Sequence, residues 1–153
     1  MNSIHWLTGV MSPRFYYINN MKILLWLDDR RNPYDYNYLE QFSPLRGEYK
    51  VVWVRSYDEF TKWITKNGLP DGICFDHDLG MQVAISAREL GMSKKKSRFL
   101  KSKEKTGYDC AKWLVDYCID TRTPPPVYSI QSANVVGAEN IDSLLKNFLK
   151  SIN

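Results

Sequence analysis

The stretch Gly72-Ile73-Cys74-Phe75-Asp76-His77-Asp78-Leu79-Gly80 decides how the rest of the chain is read. Its apolar half, preceded by Pro70-Asp71-Gly72, predicts a short buried strand. The strand breaks off into Asp-His-Asp and then Leu-Gly, so two carboxylates and an imidazole gather at its C-terminal end. In an open parallel sheet, ligands bind at that edge. Working outward, Ile23-Leu24-Leu25-Trp26-Leu27 is a second such strand and ends in Asp28-Asp29. Val127-Tyr128-Ser129-Ile130 is a third and ends in Gln131-Ser132-Ala133-Asn134. Tyr49-Lys50-Val51-Val52-Trp53-Val54-Arg55 is β-branched and aromatic, which makes a fourth.

Helix signals lie between these strands. Ser56 and Glu59 form a capping box ahead of Phe60, Trp63 and Ile64. Asn67-Gly68-Leu69-Pro70 stops that helix. Thr106 caps a second helix whose buried face is Cys110, Ala111, Leu114, Val115 and Cys118. Ile141, Leu144, Leu145, Phe148, Leu149 and Ile152 keep helical spacing to the end of the chain. Between Asn32-Pro33 and Pro44 at most a short helix fits. Strands alternating with helices predict an α/β fold with a parallel sheet of about four strands, covered on both faces.

The length of 153 residues suits one domain, and 44% hydrophobic with 25% charged residues marks a soluble globular chain rather than a disordered one. No apolar run approaches the ~20 residues of a membrane span, and no secretory leader pattern stands at the N-terminus. Cys74, Cys110 and Cys118 are odd in number, lack a CxxC spacing and sit in apolar patterns. They read as reduced buried thiols, and the expected location is cytoplasmic. Residues 1–20 carry Trp6, Pro13, Phe15, Tyr16 and Tyr17 without a sustained period. They are either an extension before a start at Met21 or an arm over the domain of residues 21–153. The net charge of +4 is concentrated: residues 88–105 hold eight Lys or Arg against two Glu. Within this long connection of about 81–105, Met81 to Leu90 fits a short amphipathic helix. Ser93 to Lys105 is almost wholly basic and polar, and reads as a functional insertion or a mobile solvated loop.

Asp28, Asp29 and Asp76, with Asp78 nearby in sequence, can supply a hard-oxygen site for Mg²⁺ or another divalent metal. One Asp of each pair can instead cap the following turn. His77 is the only histidine outside the N-terminal stretch and can act as a general acid or base near neutral pH, or serve structurally. Ser132 and Asn134 offer a hydroxyl and an amide to a phosphate. Helix N-termini after Thr106 and Asn134 offer N–H groups to the same anion. Lys94, Lys95, Lys96, Arg98 and Lys101 form an electrostatic footprint for nucleic acid.

From about Lys22 to Phe148 the chain resembles the cyclic-phosphate-processing receiver-like domains of bacteria and their phages, relatives of response-regulator receivers. The resemblance is carried by Leu27-Asp28-Asp29-Arg30-Arg31-Asn32-Pro33, Phe75-Asp76-His77-Asp78-Leu79, Thr106-Gly107-Tyr108-Asp109, and Gln131-Ser132-Ala133-Asn134 with Gly137 and Asn140-Ile141. It implies a receiver-like (flavodoxin-like) sheet and a role in binding or hydrolysing cyclic phosphates on RNA ends or nucleotides. It matches Asp28 and Asp29 to the metal-binding acidic pair of receivers, Asp76 to their strand-end aspartate and Ser132 to the hydroxyl residue that touches phosphate there. The expected metal ligands are Asp28, Asp29 and Asp76, and the phosphate-binding candidates are Arg31, Thr106, Gln131, Ser132 and Asn134. The catalytic candidates are His77, Asp76 and Asp78. Gln131 stands where the family pattern has His. The fifth strand of a receiver, with its phosphate-pairing Lys, has no counterpart, which argues against a phosphorelay role.

Two functions follow. One is a metal-assisted phosphoesterase acting on a cyclic phosphate of an RNA end or nucleotide. The other is a non-catalytic binder that uses the same edge and the basic insertion to hold a nucleotide, RNA or a host protein. Gln131 favours the second, and the retained Asp-His-Asp favours the first.

Overall fold

The four apolar runs become four parallel strands, β1 (Lys22–Leu27), β2 (Tyr49–Val54), β3 (Gly72–Phe75) and β4 (Val127–Ile130), in the order β2-β1-β3-β4. The computed structural model describes residues 20–153, so the N-terminal extension or arm lies outside the described residues. Six helices accompany the strands: α1 (Tyr38–Phe42), α2 (Tyr57–Asn67), α3 (Met81–Glu89), α4 (Lys94–Lys103), α5 (Gly107–Thr121) and α6 (Val135–Ile152). This is the receiver-like α/β arrangement. Among the described residues no fifth strand follows β4, and α6 is the last element.

Strand alternation sorts the side chains to two sides. Leu25, Leu27, Ile73 and Phe75 face the larger core, where Phe60 and Ile64 of α2, Cys110 and Leu114 of α5, and Ile141 and Leu145 of α6 close over them. Leu24, Trp26 and Cys74 face a smaller core beside Tyr38, Leu39 and Phe42 of α1. All these strand side chains are fully buried. Truncating Phe75 to Ala would cost roughly 3–5 kcal/mol of core packing.

The strand order also places the site. From β1 the chain goes to one side to form β2, then crosses back past β1 to form β3. The gap between the ends of β1 and β3 is therefore a topological switch point. Register completes the placement, because Leu27 pairs with Val54 and with Phe75, and Phe75 pairs with Ile130. The next residues along, Asp28, Arg55, Asp76 and Gln131, thus begin one row beyond the sheet.

The basic connection differs from a mobile loop. It folds as α3 and α4, and Gly91, at φ +82°, allows the turn between them. Ser93 Oγ caps α4 by accepting the Lys96 N–H at 3.2 Å. Ser97 is buried, while Lys94, Lys95, Lys96 and Arg98 remain exposed. Lys and Arg are good helix formers, so one packed side is enough to hold the segment helical. The helix is anchored beside the motif, since a Cβ on Gly80 would stand 2.8 Å from the Lys101 carbonyl oxygen.

Candidate functional site

Asp28, Asp29 and Asp76 each offer a carboxylate oxygen, and these atoms lie within 4.8 Å of one another. All three residues are buried. Asp28 Oδ1 accepts the N–H groups of Arg30 and Arg31, both at 2.7 Å, which folds the chain sharply after β1. Asp29 Oδ2 accepts the Gln82 N–H at 2.7 Å and so ties down the first turn of α3. Asp76 Oδ1 accepts the His77 N–H at 2.8 Å. The loop is further fixed by Trp53 Nε1 donating to the Asp28 carbonyl and Arg55 Nη2 donating to the Asp29 carbonyl, both at 2.7 Å.

These carboxylates line a cleft of about 430 Å³, together with Asp78, Asp35, Arg31, Ser132 and Tyr36. The crowding has an electrostatic cost. Burial, and then the neighbouring Asp28 charge, push the Asp76 carboxyl up to about 6 against relief from the Ser132 hydroxyl. Burial also raises Asp28, although the Arg31 and Arg30 N–H groups pull the other way. Asp28 Oδ2 has no hydrogen-bond partner among the described residues, and the Arg31 guanidinium is 3.6 Å from it. A buried carboxylate oxygen without a partner, beside two further acids, fits a hard divalent cation, which would replace the missing hydrogen bond and screen the repulsion. Asp28, Asp29 and Asp76 therefore suit the group expected from the sequence.

His77 takes a different position from its neighbours. Asp76 and Asp78 line the cleft, while the ring between them turns toward α6. A Cβ on Gly137 would stand 2.3 Å from His77 Cγ, so only glycine leaves room for this ring. His77 Nδ1 meets Asp78 Oδ1 at 2.9 Å and Asn134 Nδ2 at 3.3 Å. Burial works to raise Asp78, but the hydrogen bonds from His77 and Asn134, with the positive charge of Lys101, outweigh it and lower its pKa. His77 thus reaches the cleft through Asp78.

The phosphate-binding candidates divide in the same way. Arg31 and Ser132 line the cleft. Arg31 Nη1 also donates to the Gln131 carbonyl at 2.7 Å, bridging the loops after β1 and β4. Thr106 is engaged in a capping box, with its Oγ1 accepting the Asp109 N–H at 3.3 Å, and it does not line the cleft. Asn134 caps α6 by accepting the Gly137 N–H at 2.9 Å and reaches Asp78 rather than open space. Gln131 is buried under a hollow next to the cleft. Lys94, Lys95, Lys96 and Arg98 stand on α4, and Lys101 of the same helix acts electrostatically on Asp78.

The Thr106-Gly107 pair has a structural meaning that sequence alone does not reveal. A Cβ on Gly107 would lie 1.8 Å from the Asp76 carbonyl oxygen, and the Gly107 N–H donates to the His77 carbonyl at 2.8 Å. The start of α5 is thereby packed directly onto the backbone that carries the Asp-His-Asp. Reading the sequence missed Asp35, Tyr36 and Tyr38 as cleft residues. The available signal was the tyrosine cluster that follows Asp28-Asp29-Arg30-Arg31-Asn32-Pro33.

The family model of the cyclic-phosphate processing Receiver domain matches residues 23–147. No curated protein and no solved structure matches the chain. The match takes in β1 from Ile23, the other three strands and every residue of the acidic cleft, and the chain belongs to the cyclic-phosphate processing Receiver domain family.

Proposed function

We propose that the domain is a metal-assisted phosphoesterase acting on a cyclic phosphate of an RNA end or nucleotide. The observation that carries this reading is the single cleft in which three crowded buried carboxylates face Arg31 and Ser132. Such a cleft pairs a place for a cation with donors for an anion. Asp28, Asp29 and Asp76 would hold the divalent metal, which when bound supplies Lewis-acid polarisation of a phosphoryl oxygen. Arg31 donates to a phosphate oxygen from one side and Ser132 from the other. Asp78, outside the metal group and kept ionised, accepts the proton of an attacking water, and that proton passes to the ring oxygen as its bond to phosphorus breaks. His77 and Asn134 hold that carboxylate in place. The ring-opened product is a phosphate monoester with a free neighbouring hydroxyl. The positive face of α4 would carry the RNA strand toward the cleft, with Lys94, Lys95, Lys96 and Arg98 meeting phosphates and Lys101 closest to the acids.

A second reading is favoured by one specific feature: among the described residues no imidazole lines the cleft, because His77 faces Gly137 and position 131 is Gln. In that reading the domain captures a nucleotide, an RNA end or a host protein and leaves it unchanged. The test is incubation with a 2′,3′-cyclic nucleotide and Mg²⁺, followed by phosphorus NMR and calorimetry. Conversion to a 2′- or 3′-monophosphate supports the esterase. Saturable binding with no conversion supports capture, and absence of both refutes the site assignment.

A further inference from the structure

Beside the acidic cleft lies a second hollow, of about 450 Å³, with Tyr38, Gln41, Phe42 and Gln131 in its lining. It shares Arg31, Tyr38, Ser132 and Ala133 with the cleft, so the two are adjoining parts of one surface. Its volume is within the roughly 300–1,000 Å³ of small-ligand sites. Two observations point to what it takes. First, Gln131 is 5% exposed, yet among the described residues neither its Oε1 nor its Nε2 has a hydrogen-bond partner. Native structures rarely leave both ends of a buried amide unmet, since desolvation is then uncompensated. A phosphate would satisfy only the amide N–H₂, and a cation only the oxygen. The amide as a whole calls for a group that presents a donor and an acceptor side by side.

Second, the Tyr38 ring is fixed in place by other aromatics. Its centroid lies 5.4 Å from that of Tyr36, 6.4 Å from Trp26 and 6.4 Å from Phe42. Tyr36 itself is 86% exposed on a left-handed backbone, φ +50°, a conformation that is costly for a bulky residue and is found mostly where function requires it. Fixed, partly exposed aromatic rings beside a phosphate site are stacking surfaces for bases.

We propose that this hollow is a nucleobase subsite, in which the base stacks on Tyr38 and Gln131 reads its edge. Adenine matches best, because its N6–H donor and N7 acceptor complement a carboxamide. The proposal rests on the phosphate reading of the adjoining cleft and specifies the ligand: a nucleotide or RNA end whose terminal base is held as well as its phosphate. The position at which the family pattern has His would here serve recognition of the base.

The experiment compares two probes by calorimetry in Mg²⁺: adenosine 2′,3′-cyclic phosphate, and 1-O-methylribose 2,3-cyclic phosphate, which has no base. Adenosine 2′,3′-cyclic phosphate is expected to bind the parent protein at least about 10-fold more tightly, the size of one good bidentate contact with stacking. In Gln131→Leu the ratio of the two affinities should fall toward that of stacking alone, and the melting temperature should hold or rise because two unmet polar atoms are gone. Equal affinities in the parent would overturn the subsite while leaving the phosphate reading intact. Binding of neither probe would overturn both. A lower melting temperature in Gln131→Leu with an unchanged ratio would assign the amide to a structural water and also overturn the subsite. Should Gln131→Leu not fold, the isosteric Gln131→Glu replaces it. Loss of the N–H₂ donor with an acceptor facing N7 should then lower the ratio of the two affinities toward that of stacking alone, and an unchanged ratio would refute the assignment.

Discussion

The acidic cleft and helix α4 are both strongly charged, and they hold their charge in opposite ways. In the cleft, Asp28, Asp29 and Asp76 are buried at the ends of two strands, and one carboxylate oxygen lacks a partner among the described residues. On α4, Lys94, Lys95, Lys96 and Arg98 stand exposed, with water to solvate each of them. Burial makes the cleft charges expensive and strongly coupled to one another. Exposure makes those of α4 individually weak and open to salt screening. The cleft is therefore suited to chemistry on, or tight grip of, one group. The helix is suited to additive, sequence-tolerant attraction of a polyanion. Four perturbations test that contrast, and their expected effects decrease in turn.

The largest concerns glycine on each side. Gly107 touches the backbone of the cleft, where an added Cβ would stand 1.8 Å from the Asp76 carbonyl oxygen. Gly91 turns the chain into α4, and a Cβ there meets nothing within 4 Å among the described residues. Gly107→Ala must move α5 away from β3 and should cost at least about 3 kcal/mol, the upper range for overpacking. Gly91→Ala meets only the backbone strain of a positive φ and should cost about 1 kcal/mol. Urea unfolding of both variants checks this, and equal costs would mean that the cleft is looser than its geometry implies.

Next comes acidity. Asp76 titrates near 6 in the folded protein against an ordinary 3.8. Between those values the native state binds more protons than the unfolded one, so stability is greatest at the acid end and falls as pH rises through 6. The loss should be roughly 3 kcal/mol at most, from the size of that shift. Asp28, also raised by burial, acts in the same direction. Asp78, which is lowered, acts in the opposite direction but below its ordinary 3.8, outside this window. Urea titrations in chelator from pH 4 to 7 should show the decline, and Asp76→Asn should flatten it. A parent protein that gains stability over this range would contradict the crowding argument.

Metal should reverse that penalty. A ligand at 100 times its Kd stabilises by about 2.7 kcal/mol, so Mg²⁺ or Mn²⁺ should raise the Tm by several degrees. The Asp28→Asn, Asp29→Asn double variant keeps the side-chain oxygens that accept the Arg30, Arg31 and Gln82 N–H groups. It should melt higher than the parent without metal, because repulsion is relieved, and show no increment with metal. Calorimetric scans of both proteins decide the matter, and an increment that survives in the variant excludes these residues as ligands.

Legibility in the sequence follows the same division. The strands, the caps at Ser56 and Thr106 and the α6 period were readable because each is a local pattern on one element. The acidic cluster was readable because β1 and β3 both end in Asp, and parallel register then brings the ends together. The direction of His77 was hidden, because β3 ends at Phe75 and strand alternation does not extend over residues 76–78. Helix α4 gave no such signal. Phe99 and Leu100 are adjacent rather than spaced by three or four, so no apolar period exists, and its packing against α3 is tertiary. The reasons for Gly107 and Gly137 were hidden as well, since each glycine makes room for a residue far away in sequence: Asp76 for one, His77 for the other.

The smallest effect belongs to α4 and decides whether the contrast has functional weight. Lys94, Lys95 and Lys96 occupy its first turn, exposed and outside the salt bridges found among the described residues. Positive charge at a helix N-terminus is unfavourable toward the macrodipole, so changing all three to Ser should leave stability unchanged or slightly increased. Affinity for a short single-stranded RNA ending in a 2′,3′-cyclic phosphate should nonetheless fall. Three lost phosphate contacts would make the plot of log affinity against log salt shallower by about two. Affinity for the mononucleotide should barely change, because it reaches the cleft without crossing α4. Fluorescence anisotropy of the RNA over a salt series, beside calorimetry of the mononucleotide, separates the two. Parallel salt slopes in parent and variant would reduce α4 to a solvated cover over Gly80. A loss that also extends to the mononucleotide would place these lysines in the field of the cleft itself, and the two regions would then act as one site.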